Sequence, residues 1–423
     1  MSSPPPLVRL FEPGKIGAME LKNRLIMAPM MSNQAHDGYI SDEQIAYYAE
    51  RAKGGVGMVT CGAARASYST WNRRSIAIYD DKFIPGLRRL TEAIHAGGAK
   101  ACIQLNQLGV FLSYRRRAGI DTPDTPEELD VMGPSHVPWV RTGYTPREAT
   151  KEDIQREVAF LVAGSRRAKE AGFDAVEFHG AHGYLIGAFL SPFYNRRIDE
   201  YGGTTEKRAR FACEILRATR QAVGPDFPLI FRMNGSDCME GGITIEESRR
   251  QAPLLVAAGA DALHVSASSH ETTQWQFLPY LLPDGAIVYL AEAIKKVVTV
   301  PVITVGKLGD PVLAEKVLAQ HQADFIAWGR PLLADPALPS KVKEGRLDDI
   351  NRCICCNLGC ISRDYAKFPS ISCVVNPATG REQEFAIRPA RRRKQVMVVG
   401  GGLAGMEAAR VMAERGHQVT LYE

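Results

Sequence analysis

The chain has 423 residues, 45% hydrophobic and 23% charged, proportions of an ordinary globular protein long enough for two or three structural units, the largest of barrel size. A net charge of +5 and a pI of 8.6 are mild, and no apolar run approaches the roughly 18 residues of a membrane span, so neither nucleic acid nor a membrane is expected as a partner. The opening Met1-Ser2-Ser3-Pro4-Pro5-Pro6 has no leader pattern, and nine cysteines, five of them between Cys353 and Cys373, fit a reducing, cytoplasmic setting and a metal site rather than a disulfide framework.

Eight short apolar runs alternate with helix-like segments: Leu25 to Ala28, Met58 to Cys61, Ala101 to Leu105, Ala175 to Phe178, Leu229 to Phe231, Ala262 to Val265, Val302 to Val305 and Phe325 to Trp328. The alternation predicts an α/β protein built on a (β/α)8 barrel, with an open doubly wound sheet as the alternative. Helix starts are marked by capping boxes at Ser41 to Gln44 and Thr244 to Glu247, and by Asp310-Pro311 and Asp335-Pro336, each read as an N-cap followed by Pro at the first helical position.

In such a barrel the chemistry collects where the strands end. The runs lead in turn into Pro29-Met30-Met31, Gly62-Ala63, Gln104, His179, Arg232, Ser266 with His270 behind it, Gly306-Lys307 and Gly329-Arg330. The last two are Gly-cation pairs, suited to a phosphate because backbone N–H groups approach through the glycine while Lys307 and Arg330 add charge. The fourth run is the richest, since His179, His182 and Tyr184 follow within six residues and bring two imidazoles and a phenol to one rim. Between Leu105 and Asp153 a proline-rich insertion is long enough to cover a substrate. Its Arg115-Arg116-Arg117 reads first as solvated surface and second as a contact for an anionic tail such as a CoA phosphate.

Downstream, Cys353, Cys356, Cys360 and Cys373 have the spacing C-x2-C-x3-C-x12-C, which suits an iron-sulfur cubane better than zinc, whose ribbons use paired C-x2-C knuckles. Cys355 is left over and is expected to point away from the cluster. After the basic run Arg391 to Lys394, read as a solvated linker, an apolar strand meets Gly400, Gly402 and Gly405, a helix, and a second strand ending at Glu423. That is the setting of a dinucleotide fingerprint, with Glu423 placed for a ribose hydroxyl. The segment is shorter than the roughly 40 residues needed to fold alone, so it is read as the start of a larger domain or as a piece that docks on the barrel. The organisation expected is a barrel over 1–345, a cluster segment and linker over 346–390, and the first part of a nucleotide-binding domain over 391–423.

With these residues assembled, the chain resembles the old yellow enzyme superfamily, in its multi-centre branch of 2,4-dienoyl-CoA reductase, 2-enoate reductase and trimethylamine dehydrogenase. The most specific matches are His179-Gly-Ala-His182-Gly-Tyr184, Tyr201-Gly202-Gly203, Gly329-Arg330-Pro331 and the cysteine cluster ending in Cys373-Val-Val-Asn376-Pro377. The resemblance implies FMN in the barrel, a 4Fe-4S cluster, a downstream FAD and NAD(P)H as donor. It implies FMN contacts from Pro29, Met30, Met31, Gly62, Ala63, Gln104, Arg232, Gly306, Lys307, Gly329 and Arg330. Tyr184 matches the family's proton donor, His179 and His182 would polarise a substrate carbonyl, and His270 matches a histidine of the dienoyl-CoA branch. Met30 and Met31 stand where trimethylamine dehydrogenase carries its flavin-linking cysteine, so non-covalent FMN is expected and amine oxidation is the weaker reading. The dienoyl-CoA reductases lack the His-x-x-His arrangement, so an enoate or enone fits better than a CoA thioester. The expected function is reduction of an activated C=C bond of a small unsaturated carbonyl compound, in a chain that could form a homo-oligomer. The alternatives are a dehydrogenase of amines or saturated carbonyl compounds and, from another class, a non-catalytic electron-transfer or zinc-knot module.

Overall fold

Eight parallel strands close into a barrel in the computed structural model, which describes residues 7–68, 74–113, 130–362 and 370–423. They are β1 (Leu25–Met30), β2 (Met58–Arg65), β3 (Lys100–Asn106), β4 (Ala175–Gly180), β5 (Leu229–Ser236), β6 (Ala262–Ala267), β7 (Val302–Val305) and β8 (Phe325–Trp328). Each strand pairs with its sequence neighbours, and β8 returns to β1 through Ile326 opposite Leu25, so no edge is left open. All eight runs expected from sequence are these strands, and the open-sheet alternative is excluded. The strands read as near-continuous apolar runs because both faces are covered, inside by one another and outside by helices.

The outer layer consists of α1 (Asp42–Lys53), α2 (Ile84–Ala96), α3 (Lys151–Glu170), α4 (Thr205–Val223), α5 (Ile245–Ala257), α6 (Val288–Lys295), α7 (Pro311–Ala319) and α8 (Leu338–Lys343), one after each strand. Their starts follow the sequence signals only in part. Ser41 and Thr244 accept the expected backbone bonds from Gln44 and Glu247, but neither box closes: Gln44 Nε2 donates to Ser32 Oγ, and Glu247 is held by Arg208 and Arg250. The box that closes is Thr150 with Asp153, at the head of α3. Asp310 caps α7 with Pro311 at its first position, whereas Asp335 lies ahead of α8, accepting from Ala337 N and Lys341.

Inside the barrel the side chains form layers. A hairpin of Gly14–Ile16 and Met19–Leu21 closes the N-terminal mouth, its Ile16, Met19 and Leu21 packing with Cys102, Ala175 and Ile230. Two residues further along the strands the layer is polar: Gln104, Glu177, Arg232 and His264, all buried. Gln104 lies in register with Glu177, and Arg232 with His264.

The chain divides into two compact units, Met1–Gly380 and Arg381–Glu423. The cysteine segment belongs to the first. Ile371 is buried and bonds through its N–H to Ser32 O at 3.0 Å, and Asn376 and Thr379 both donate to Leu333 O, at 2.8 and 2.7 Å. The second unit is a βαβ turn: β9 (Gln395–Val399), α9 (Leu403–Glu414) and β10 (Gln418–Tyr422), with the strands parallel from Gln395 opposite Gln418 to Val399 opposite Tyr422. No helix among the described residues is long and apolar enough to cross a membrane.

Candidate functional site

At the C-terminal mouth the strand ends enclose a cavity of about 430 Å³. Pro29, Met30, Met31, Ala63, Gln104 and Arg232 line it from the first, second, third and fifth strands. His179, His182 and Tyr184 enter from the fourth, and Gly306, Lys307, Gly329 and Arg330 from the seventh and eighth. Of the barrel residues expected at the site, Gly62 and His270 do not face the cavity. Gly62 is pressed between strands, where an added Cβ would lie 2.8 Å from Pro29 Cβ and 3.1 Å from Gln104 Cβ. His270 lies behind Tyr184, edge to face at 5.0 Å between centroids, and packs against Phe111 and Trp139.

The three inner imidazoles are neutral at pH 7. Burial and the nearby Arg232 charge push His179 and His182 well below the ordinary histidine value, and burial with Arg141 pushes His270 down to about 3. Their partners then fix their tautomers. His179 Nδ1 accepts from Ala181 N at 3.3 Å, which leaves its Nε2 to carry the proton on the cavity side. His182 is committed at both ring nitrogens: Gln276 Nε2 donates to Nδ1 at 3.0 Å, and Nε2–H donates to Ser266 Oγ at 2.8 Å. His182 thus has Ser266 and Gln276 at its two ring nitrogens, whereas His179 keeps Nε2 on the cavity side. Tyr184 is half-buried, its ring 4.7 Å from that of His179, and it opens the short helix Leu185–Leu190.

The two Gly-cation pairs are already engaged. Lys307 Nζ donates to Tyr280 O at 2.9 Å and to Leu282 O, with Asp284 at 3.3 Å. Arg330 donates through one terminal nitrogen to Leu278 O at 2.8 Å and Asn357 Oδ1 at 2.6 Å, which leaves the rest of its fork. Gly306 has φ +118°, and an added Cβ there would meet Ile287 at 2.6 Å, so only glycine fits.

These features fit FMN. Arg232 Nε is buried without a partner, an orphan donor on a residue of a cavity that is also lined by the Gln104 amide, by Gly306 and Gly329, and by the cations Lys307 and Arg330. The cysteines fit a cluster in a related way. Cys353, Cys356, Cys360 and Cys373 line one small cavity of about 20 Å³, while Cys355 lines the large cavity instead, and all nine thiols are unbridged. No three His, Cys, Asp or Glu side chains among the described residues converge as ligands of a single ion.

In the second unit Gly400 has φ +101°, and an added Cβ at Gly405 would lie 1.8 Å from Gly400 O. Gly402 precedes α9, and the Glu423 carboxylate accepts from Gly401 N.

Sequence reading missed Gln276, Phe111 and Glu177. Gln276 ends a four-residue helix, Thr273–Gln276, that carries no motif, and Phe111 in the insertion looks like any other apolar residue. Glu177, a charge inside an apolar strand, was visible in the sequence as an anomaly. Arg115 to Arg117 lie outside the described residues.

Comparison with known proteins agrees with this geometry. Residues 9–349 match the model of the NADH:flavin oxidoreductase / NADH oxidase family, and residues 395–423 match one described as glucose inhibited division protein A. The chain is 45% identical over 418 residues to an NADH oxidase of Thermoanaerobacter brockii, covering 98% of this chain and 63% of that protein. It is 38% identical over 441 residues to a cinnamate reductase of Clostridium sporogenes, covering 98% and 64%. A solved complex of 2-naphthoyl-CoA reductase with 2-naphthoyl-CoA superposes with a TM-score of 0.92 at 34% identity, over 98% of this chain and 64% of that one. The chain thus spans a little over three-fifths of the length of these relatives. With a closed barrel, its site at the strand ends and a match over residues 9–349, the chain belongs to the NADH:flavin oxidoreductase / NADH oxidase family, in the old yellow enzyme-like multi-centre branch.

Proposed function

We propose that the protein reduces the activated C=C bond of an α,β-unsaturated carbonyl compound, an enoate or enone, with electrons that enter from NAD(P)H and pass through FAD and a 4Fe-4S cluster to FMN. The observation that carries the reading is the neutral His179, whose Nε2–H is left to the cavity beside Tyr184. A preorganised neutral donor stabilises an oxygen that gains negative charge in the transition state more than it stabilises the starting carbonyl.

FMN bound in the barrel would supply the hydride. The protein's own groups would do the rest. His179 Nε2–H binds the carbonyl oxygen, and His182, tied to Gln276 and Ser266, braces it. Tyr184 gives a proton to the α-carbon, since an enolate carbon is far more basic than a phenolate oxygen. Phe111, Phe277 and Tyr280 give the cavity an aromatic wall, consistent with a conjugated substrate. The relatives named for cinnamate and 2-naphthoyl-CoA support the substrate class at that level. Cys353, Cys356, Cys360 and Cys373 would hold the cluster, and Gly400, Gly402, Gly405 and Glu423 would begin the FAD or NAD(P) domain.

The test separates two half-reactions under anaerobic conditions. With Tyr184→Phe, photoreduction of the bound flavin is expected to be unchanged, while its reoxidation by an enone slows by about 10²-fold. Equal reoxidation rates in both proteins would remove Tyr184 as donor, and net oxidation of a saturated carbonyl compound or amine would reverse the direction.

A further inference from the structure

The polar layer beneath the cavity contains a carboxylate that the catalytic reading does not use. Glu177, on β4, is 1% exposed and lies at the centre of three inward-facing groups. Gln104 Nε2 donates to its Oε1 at 2.7 Å, His264 Nδ1 donates to its Oε2 at 2.7 Å, and the Arg232 charge stands near. Burial pushes the Glu177 carboxyl up, but His264, Arg232 and Gln104 together outweigh it and hold the group below the usual carboxylate range. Burial keeps His264 below its ordinary value, hence neutral, and its Nε2 is buried without a partner.

An ionised carboxylate only accepts hydrogen bonds. A side-chain amide beside it must turn its NH2 group toward it, because the opposite orientation would set a carbonyl oxygen against a carboxylate oxygen in a site closed to water. Gln104 is therefore locked with Nε2 down toward Glu177, and the other branch of its amide, the carbonyl Oε1, is the one left to the cavity. In oxidised flavin the ring donor available to an acceptor is the N3–H of the pyrimidine edge.

We propose that Glu177 is a positioning residue for the flavin: it fixes the Gln104 amide so that a carbonyl, not an NH2, meets the isoalloxazine edge, and it balances the charge of Arg232 beneath the ring. This rests on FMN occupying the barrel, as in the proposed function. Two consequences separate orientation from simple packing. Glu177→Gln keeps the shape but can donate as well as accept, so Gln104 is free to invert. The same change also removes a negative charge from below the flavin, which makes the flavin easier to reduce.

The experiment titrates the flavin-free protein with FMN by fluorescence quenching and measures the midpoint potential of the bound flavin against reference dyes. For Glu177→Gln, affinity is expected to fall about tenfold, the worth of one buried hydrogen bond, and the potential to rise. In a Gln104→Ala background the same substitution is expected to have no further effect on affinity, because the partner it acts through is gone. An unchanged affinity in the single variant, or the same loss in the Gln104→Ala background, would overturn the proposal. Should Glu177→Gln not fold, the unaltered protein is titrated with 3-deaza-FMN, which carries a C–H at that edge. About tenfold weaker binding than FMN supports the assignment, and equal binding overturns it. Absence of FMN binding by the unaltered protein would defeat the proposed function along with this assignment, whereas FMN bound with unchanged affinity by the variant defeats this assignment alone.

Discussion

Gln276 Nε2 donates to His182 Nδ1 at 3.0 Å, joining the last residue of the short helix Thr273–Gln276 to a histidine just past a strand end, 94 positions away. The bond sets the tautomer of His182 and sends its remaining N–H to Ser266, so of the two histidines only His179 has a donor left for a substrate. The substitutions should therefore differ in size. His179→Ala is expected to slow flavin reoxidation by an enone about 10²- to 10³-fold, as the loss of an oxyanion donor does. Gln276→Leu, which frees His182 without removing it, should cost no more than about tenfold. Stopped-flow reoxidation of the prereduced proteins measures both.

His270 gives a pH dependence of stability. Its folded value, about 3, lies below the ordinary one, so the unfolded chain binds the proton first as pH falls. The stability this group contributes is fully present above about pH 6.5 and is lost as pH drops from there toward 3. From pH 7 to 5.5 the loss is about 1 kcal/mol for one such histidine. Urea unfolding across that range should show the gap between the unaltered protein and His270→Gln narrowing toward acid pH; a constant gap would refute the assignment.

Glu315 anchors the start of the barrel. From α7 its carboxylate accepts three backbone N–H groups, from Val8 at 3.1 Å, Arg9 at 2.8 Å and Leu10 at 3.0 Å. Glu315→Ala leaves those donors unpaired and is expected to destabilise the protein by about 2–3 kcal/mol, read as a lower Tm. Glu315→Gln, which keeps one acceptor, should fall between.

The cysteines divide by position. After anaerobic purification, Cys356→Ser or Cys373→Ser should lose most iron and acid-labile sulfide, and Cys355→Ser should retain both, because Cys355 does not line the small cavity that the other four share. Stoichiometric zinc without sulfide in the unaltered protein would remove the cluster from the proposed electron route.

Much of the architecture was legible in the chain. A strand buried on both faces must be an apolar run, and each of the eight is followed by a helix, so the barrel and the order of its rim residues could be read from local pattern. The gathering of Cys353, Cys356, Cys360 and Cys373 round one small cavity and the close-packed glycines of the βαβ turn were foreshadowed by their spacing. Helix starts were less so, since Glu247 and Asp335 found cationic partners, Arg208 and Lys341, that no local pattern announces.

What the sequence by itself determined is which groups arrive at the mouth, because a barrel strand carries its last residues there whatever the loops do. What only the tertiary structure decided is which atoms of those groups remain available. His182 is spent on Gln276 and Ser266, His270 is folded behind Tyr184, Lys307 is turned to the carbonyls of Tyr280 and Leu282, and Gln104 is oriented by Glu177. Each of these depends on a hydrogen bond between residues distant in sequence or on packing across strands, and pairings of that kind have no period, spacing or composition by which the chain could reveal them.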